Sequence, residues 1–288
     1  MQLIINSRVV GYFSWQKIVE RGFAIVLGED HIPTGGIFTT SSDGRPHLEV
    51  FAFGLGTVYV NGIPVSKWDG PLVKNLFLFS VDRHTFTREE IFETFWPSLS
   101  KKEATNVWHV SKRKISEQLG YDLLTYSGGF YNLSDELVIH YDARQFDELC
   151  AAAESADRDD NISYYWQTIK LYRSEYLHLS EGISWIRERR EQRRNGYGNA
   201  LIQIGRMYES NQQFVLAIAY YLRALRELPL REDIHRKLIE LYTQSDQTDK
   251  AVQQYQRLEA LLRRRLNIAP AKETVALFQS IHSKQNSG

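Results

Sequence analysis

Between Ser100 and Gly120 the small and apolar residues Ala104, Trp108, Ser111, Ile115 and Leu119 recur at helical spacing. At about 100° per residue they share one face, fit to pack on a core. Lys102, Asn106, His109, Arg113 and Ser116 fall on the opposite flank, with Thr105 and Lys112 at its edge. Ser100 followed by Glu103 has the form of a capping box, and Gly120 supplies a left-handed stop, so the pattern predicts a helix with both ends marked. Just upstream, Thr87-Arg88-Glu89-Glu90 predicts a second capping box, opening a short helix that Trp96-Pro97 closes. After Gly120 come LLTYS and FYNLS, two runs rich in β-favouring residues around a Gly128-Gly129 turn. Two helices joined by a short turn and followed by a hairpin have the order of a winged helix.

On either side the pattern changes. LEVFAFG from Leu48 and TVYV from Thr57 alternate as strands do, and Asn61-Gly62 before IPV is a two-residue hairpin signal. Asp69-Gly70-Pro71 opens a helix through LVKNLFLFS, where proline is tolerated because a first-turn N–H has no acceptor within the helix. Residues 1–46 carry no motif, although Phe23–Leu27 has the composition of a buried strand and Gly35-Gly36 and Asp43-Gly44 are turn signals. The polar stretch 154–161, ESADRDDN, reads as a loop between helices, and everything beyond it as helical. Ile204 and Leu238, Tyr208 and Tyr242, Ala217 and Ala251, and Tyr221 and Tyr255 are pairs 34 residues apart, the tetratricopeptide period. Two repeats are too few for a solenoid, so the helices from Asp142 to Asn199 are expected to complete the stack.

The expected architecture is an α+β N-terminal winged helix-turn-helix domain followed by an all-α tetratricopeptide-like helical domain. A leader of unknown role spans 1–46, the winged helix 47–141 and the helical domain 142–288. With 288 residues, two or three units are the better expectation.

Charge then sharpens the picture. Thirty-five basic residues balance 35 acidic ones, which argues against a general polyanion binder. The local exception is the segment 101–114, where Lys101, Lys102, Lys112, Arg113 and Lys114 face Glu103 alone. Lys102, Thr105, Asn106, His109, Lys112, Arg113 and Ser116 are the candidate DNA-contacting residues, since each can bond a base edge or a phosphate. The arginine runs 187–194 and 263–265 are expected to be solvated, ion-paired helix faces.

Cys150 is the only cysteine, so no internal disulfide framework exists, and it is expected to be a small buried residue. No GxxxxGK[ST] loop, HExxH or paired-histidine spacing occurs, and the chain reads as a non-enzyme without cofactor or metal. No basic leader precedes a long apolar core and no apolar run is long enough to span a bilayer, so a cytoplasmic location is expected.

The run from Leu48 to Asp142, with TREEIFETFWP, ATNVWHVSKRKISEQLG and GGFYNL, resembles the OmpR-type winged helix of the bacterial SARP/AfsR-like transcriptional activators. The remainder, opening at Tyr141-Asp142-Ala-Arg-Gln-Phe146, resembles the bacterial transcriptional activator domain, BTAD, that follows it in that family. The likeness covers residues 47–282. It implies a transcriptional activator that binds direct repeats of double-stranded promoter DNA, alone or as a homodimer or tandem pair, and recruits RNA polymerase. The chain departs from the family at two places. Ser116 and Glu117 stand where the recognition helix is commonly arginine-rich, and Gly128, Gly129, Phe130 and Tyr131 leave the wing without its frequent arginine. The alternatives are a protein-interaction scaffold whose winged helix no longer binds DNA, and the output half of a larger sensor-regulator.

Overall fold

The structure, a computed structural model, describes residues 2–5, 8–12, 44–156, 158–180 and 183–285. The expected strand at Phe23–Leu27, the Gly35-Gly36 turn and Asp43 lie outside them. Gln2–Ile5 (β1) and Arg8–Tyr12 (β2) pair antiparallel. The chain forms two compact units, Gly35–Tyr197 and Gly198–Gly288, with residues 1–34 grouped with the latter.

In Gly35–Tyr197, His47–Phe51 (β3), Thr57–Val60 (β4) and Ile63–Pro64 (β5) form the antiparallel part of a sheet. Asn61 and Gly62 both take positive φ, 50° and 75°, as the tight turn between β4 and β5 requires. Pro71–Arg83 (α1) has Pro71 in its first turn and buries Val73 and every residue from Leu76 to Val81. Thr85–Thr87 (β6) leads into Arg88–Phe95 (α2), and Lys101–Leu119 (α3) follows after a short turn. Leu124–Ser127 (β7) and Phe130–Leu133 (β8) make the expected hairpin around Gly128-Gly129. Two further strands of this unit escaped the sequence pattern. β6 pairs with β8 to give the wing a third strand, and Val138–Tyr141 (β9) pairs parallel with β3.

The second capping box is only half formed. Thr87 Oγ1 accepts from Glu90 N at 3.1 Å, but the Glu90 carboxylate faces Arg83 at 3.3 Å instead of returning the bond. The loop expected at 154–161 is also shorter than the sequence suggests. Asp142–Ser155 (α4) and Arg158–Leu171 (α5) extend into it, because polar residues at helix ends continue a helix as readily as they leave it. The helical expectation fails at 172–180, where Tyr176 instead bridges to Phe53 and Leu177 N donates to Ala52 O at 2.8 Å.

The long helix Ser184–Ser210 (α6) contains the point at which the two compact units divide. Its first half corrects the reading of the arginine run 187–194 as a solvated face. Arg193 is 3% exposed, and Nη2 lies 2.7 Å from both Asp82 Oδ1 of α1 and Asp147 Oδ2 of α4. Arg189 Nε reaches Asp82 Oδ2 at 2.7 Å, and the hydroxyls of Tyr141 and Tyr176 donate to Asp82 Oδ1 at 3.0 and 3.2 Å. Burial would push the Asp82 carboxyl up, but the two guanidiniums reverse this and hold it below the ordinary carboxylate range. The run is therefore ion-paired as expected, with its central arginine inside the protein. Cys150 is half-buried, not fully buried, and burial foremost pushes its thiol up to about 11.

In Gly198–Gly288 the end of α6 pairs with Phe214–Glu227 (α7), Glu232–Gln244 (α8) pairs with Thr248–Leu266 (α9), and Lys272–Gln285 (α10) follows. The starts of α7 and α9 are separated by the 34-residue period read from the repeated tyrosines and alanines. Ile204, Leu238, Ala217, Ala251, Tyr221, Tyr242 and Tyr255 are buried, as interlocking positions should be, and Tyr208 is half-buried against Tyr220. A Cβ on Gly205 would stand 2.6 Å from the Tyr221 ring, so only glycine allows α6 and α7 to approach so closely.

Candidate nucleic-acid interface

α3 is held rigidly enough to present a surface. Ser100 accepts from Glu103 N, the Glu103 carboxylate accepts from Ser100 N at 3.0 Å, and Gly120 closes the helix at φ 77°. Ala104, Trp108, Ser111, Ile115 and Leu119 are all buried. Trp108 is 0% exposed and packs edge-on against Tyr131 and Phe86, with ring centroids at 5.3 and 6.1 Å. Its indole Nε1 has no hydrogen-bond partner, a cost that the surrounding aromatic packing offsets.

The opposite face is exposed, and its residues are not equally available. Lys102, Asn106 and His109 are exposed and make no hydrogen bond to the described residues. Arg113 shares that face, with Nε 3.2 Å from Glu117 Oε1; both side chains are largely exposed, so the pair is a weak one. Thr105 is half-buried and its hydroxyl donates to Lys101 O at 2.6 Å. Ser116 donates to Asp122 Oδ1 at 2.7 Å, and Lys112 lies half-buried with its ammonium 5.8 Å from the Tyr131 ring centre. Lys114, counted in the basic segment, is paired with Asp69 at 2.7 Å.

The helix therefore gathers Lys102, Asn106, His109 and Arg113 on one open face, while Thr105, Lys112 and Ser116 are turned to its flank and engaged there. Val110 was missed. It is 48% exposed, one turn beyond Asn106, and supplies an apolar spot among polar groups. Its place on the helix wheel signals this, although an isolated valine reads by default as core.

The wing carries two exposed aromatic residues, Tyr126 at 50% and Phe130 at 46%, beside the buried Tyr131. The hairpin has no arginine of its own, yet the fold places one beside it. The Arg88 guanidinium, from the first turn of α2, stands 5.5 Å from the Tyr126 ring centre. Only the wing's third strand reveals this neighbour, and the sequence pattern did not show that strand.

Among the described residues no group of three or more histidine, cysteine or carboxylate side chains is placed to hold a metal, and no helix is long and apolar enough to cross a membrane.

Residues 141–282 match the family described as bacterial transcriptional activator domain, BTAD. No curated protein matches the sequence. A solved structure described as Mycobacterium tuberculosis EmbR in complex with low affinity phosphopeptide has a similar fold, with a TM-score of 0.59 at 18% sequence identity. The similarity covers 83% of this chain but 65% of that one, so this chain spans less than two thirds of its length. A winged-helix region thus precedes the tetratricopeptide-like domain that residues 141–282 match, an architecture similar to that of the SARP/AfsR-like regulators.

Proposed function

We propose that this protein is a sequence-specific DNA-binding transcriptional activator of the cytoplasm, whose α3 lies in the major groove. The observation that carries this is the two-sidedness of α3. One face is fully buried around Trp108, and the other offers Lys102, Asn106, His109 and Arg113 to solvent. A solvated amphipathic helix needs only charge on its outer face. Here an amide, an imidazole, a guanidinium and an exposed valine methyl share it, which are groups suited to adenine, guanine and thymine edges in the major groove.

In this proposal Asn106 and Arg113 read bases, His109 and Lys102 contact bases or backbone, and Thr105, Lys112 and Ser116 border the phosphates. Arg113 exchanges Glu117 for a base edge, a small loss for a pair so exposed. Residues 47–141 bind the DNA, while 142–288 govern assembly and contact RNA polymerase. Direct repeats in the promoter are occupied by a homodimer or tandem pair, whose linkage raises the effective concentration at the second repeat. EmbR resembles this chain in fold, and the BTAD match supports a role in transcription.

The test is a mobility-shift titration of the full chain with promoter DNA and with random DNA over a range of salt. Binding that favours the promoter and falls with salt supports the proposal. A chain that shifts neither DNA at low salt is instead a scaffold.

A further inference from the structure

The helical region Gly198–Gly288 contains a cavity of about 550 Å³ between the end of α7, α8 and α9. Arg226 of α7 and Arg257, Arg264 and Arg265 of α9 line it, and no carboxylate among the described residues does. Leu225, Pro229 and Leu261 supply an apolar wall. In a chain whose charges balance, four arginines along one small cavity are a local excess of basic residues.

Two nearby acids are engaged elsewhere. Asp233 is held by Arg231 at 2.8 Å, and Glu232 Oε1 accepts from Ala271 N at 2.7 Å. His235 forms part of the wall and is itself buried. Its Nε2 lies 3.0 Å from Pro229 O and donates there, which leaves Nδ1 to accept from Gln254 Nε2 at 2.7 Å. The imidazole is therefore neutral and fixed, a structural wall and not a fifth cation.

Helix-end electrostatics explain only part of the cluster. Basic residues in a last turn stabilise a helix C-terminus, which accounts for Arg226 of α7 and for Arg264 and Arg265 of α9, but Arg257 lies well before the last turn of α9. The two helix C-termini contribute roughly half a negative charge each, against the three positive side chains that α9 alone supplies. The lining keeps a net positive charge. Its size falls within the roughly 300–1,000 Å³ of small-molecule sites.

We propose that this cavity binds a small molecule bearing a multiply charged phosphate group, its apolar part resting against Leu225, Pro229 and Leu261. Arginine forks match phosphate oxygens in pairs, and a compact group of several negative charges is what a cluster of arginines along one cavity favours. The site is independent of DNA binding by α3.

Calorimetric titration of the full chain with pyrophosphate, at constant ionic strength and beside citrate as a carboxylate of similar charge, tests this. Pyrophosphate should bind at one site and more tightly than citrate. Arg257→Gln with Arg264→Gln should weaken it roughly tenfold or more, through loss of two charge-assisted pairs, with circular dichroism confirming the fold. Should that double variant fail to fold, Arg257→Lys keeps the charge, removes the fork and should still bind more weakly. Absence of pyrophosphate binding, equal affinity for citrate, or unchanged affinity in the folded variants would overturn the proposal.

Discussion

Arg193 Nη2 stands 2.7 Å from Asp82 Oδ1, and both side chains are out of contact with solvent. The pair joins the first helix of the winged-helix region to the long helix α6, across more than a hundred residues of sequence. Removing one member of such a pair leaves the other buried and uncompensated, which typically costs about 3–5 kcal/mol. Asp82→Ala should therefore lower the first unfolding transition of the full chain markedly, whereas Glu188→Ala on the exposed side of α6 should not. Equal melting curves for the two variants would show that the pair contributes nothing.

The same network bears on where the DNA-binding part can be cut. A fragment of 47–145 keeps α3 and the wing but loses Arg189 and Arg193, and so strands Asp82. We expect it to bind the same DNA as the full chain while melting lower than a fragment of 44–197, which retains both arginines. If the shorter fragment melts as high as the longer, the network is dispensable to the winged helix.

The capped helices, the tight turn at Asn61-Gly62 and the 34-residue repeats were legible because each rests on local chemistry. Ser100 and Glu103 cap each other wherever they sit, and Tyr221 and Tyr255 recur because the packed surfaces recur. β6 and β9 were not legible, since three or four residues become a strand only when a distant partner supplies the hydrogen bonds. Arg193 was misread for a related reason. An arginine among glutamates on a helix looks solvated until Asp82 and Asp147 are brought to it. The candidate site was half legible: periodicity placed Lys102, Asn106, His109 and Arg113 on one face, but not the engagement of Ser116 by Asp122 or of Lys112 by Tyr131.

Trp108 anchors α3 from beneath. Truncating a fully buried aromatic residue costs about 3–5 kcal/mol, so Trp108→Ala should lower the melting temperature and weaken DNA binding together. Trp108→Phe should recover much of both, because the indole N–H has no partner to lose. Unchanged stability in the alanine variant would mean that the packed face of α3 is wrongly assigned.

Arg88 is expected to act on the DNA backbone from beside the wing. Arg88→Ala should weaken binding to specific and random duplexes alike and reduce the salt slope by about 1. Should only the specific duplex be affected, Arg88 reads sequence instead.

His235 gives the helical region a pH dependence of known sign. Burial depresses its basicity, with the Pro229 carbonyl opposing and the Arg257 charge reinforcing the effect. The unfolded chain then binds the proton more readily, so His235's contribution is fully present above about pH 6.5 and is lost as pH falls below that value towards the depressed pKa. Melting of the full chain at pH 7 and pH 5.5 should show a larger drop for the wild type than for His235→Gln. An equal drop in both would locate the acid sensitivity elsewhere.

The most direct measurement is selection of bound duplexes from a random library, carried out in parallel with the full chain and with its Asn106→Ala and Arg113→Ala variants. If α3 reads the major groove, the wild type enriches one sequence in direct repeat. Each variant then relaxes the preference at a particular base pair, at a cost of about 1–3 kcal/mol there, and keeps salt-dependent binding to random DNA. Enrichment of the same sequence to the same degree by all three proteins would contradict the assignment of α3 as the reading helix.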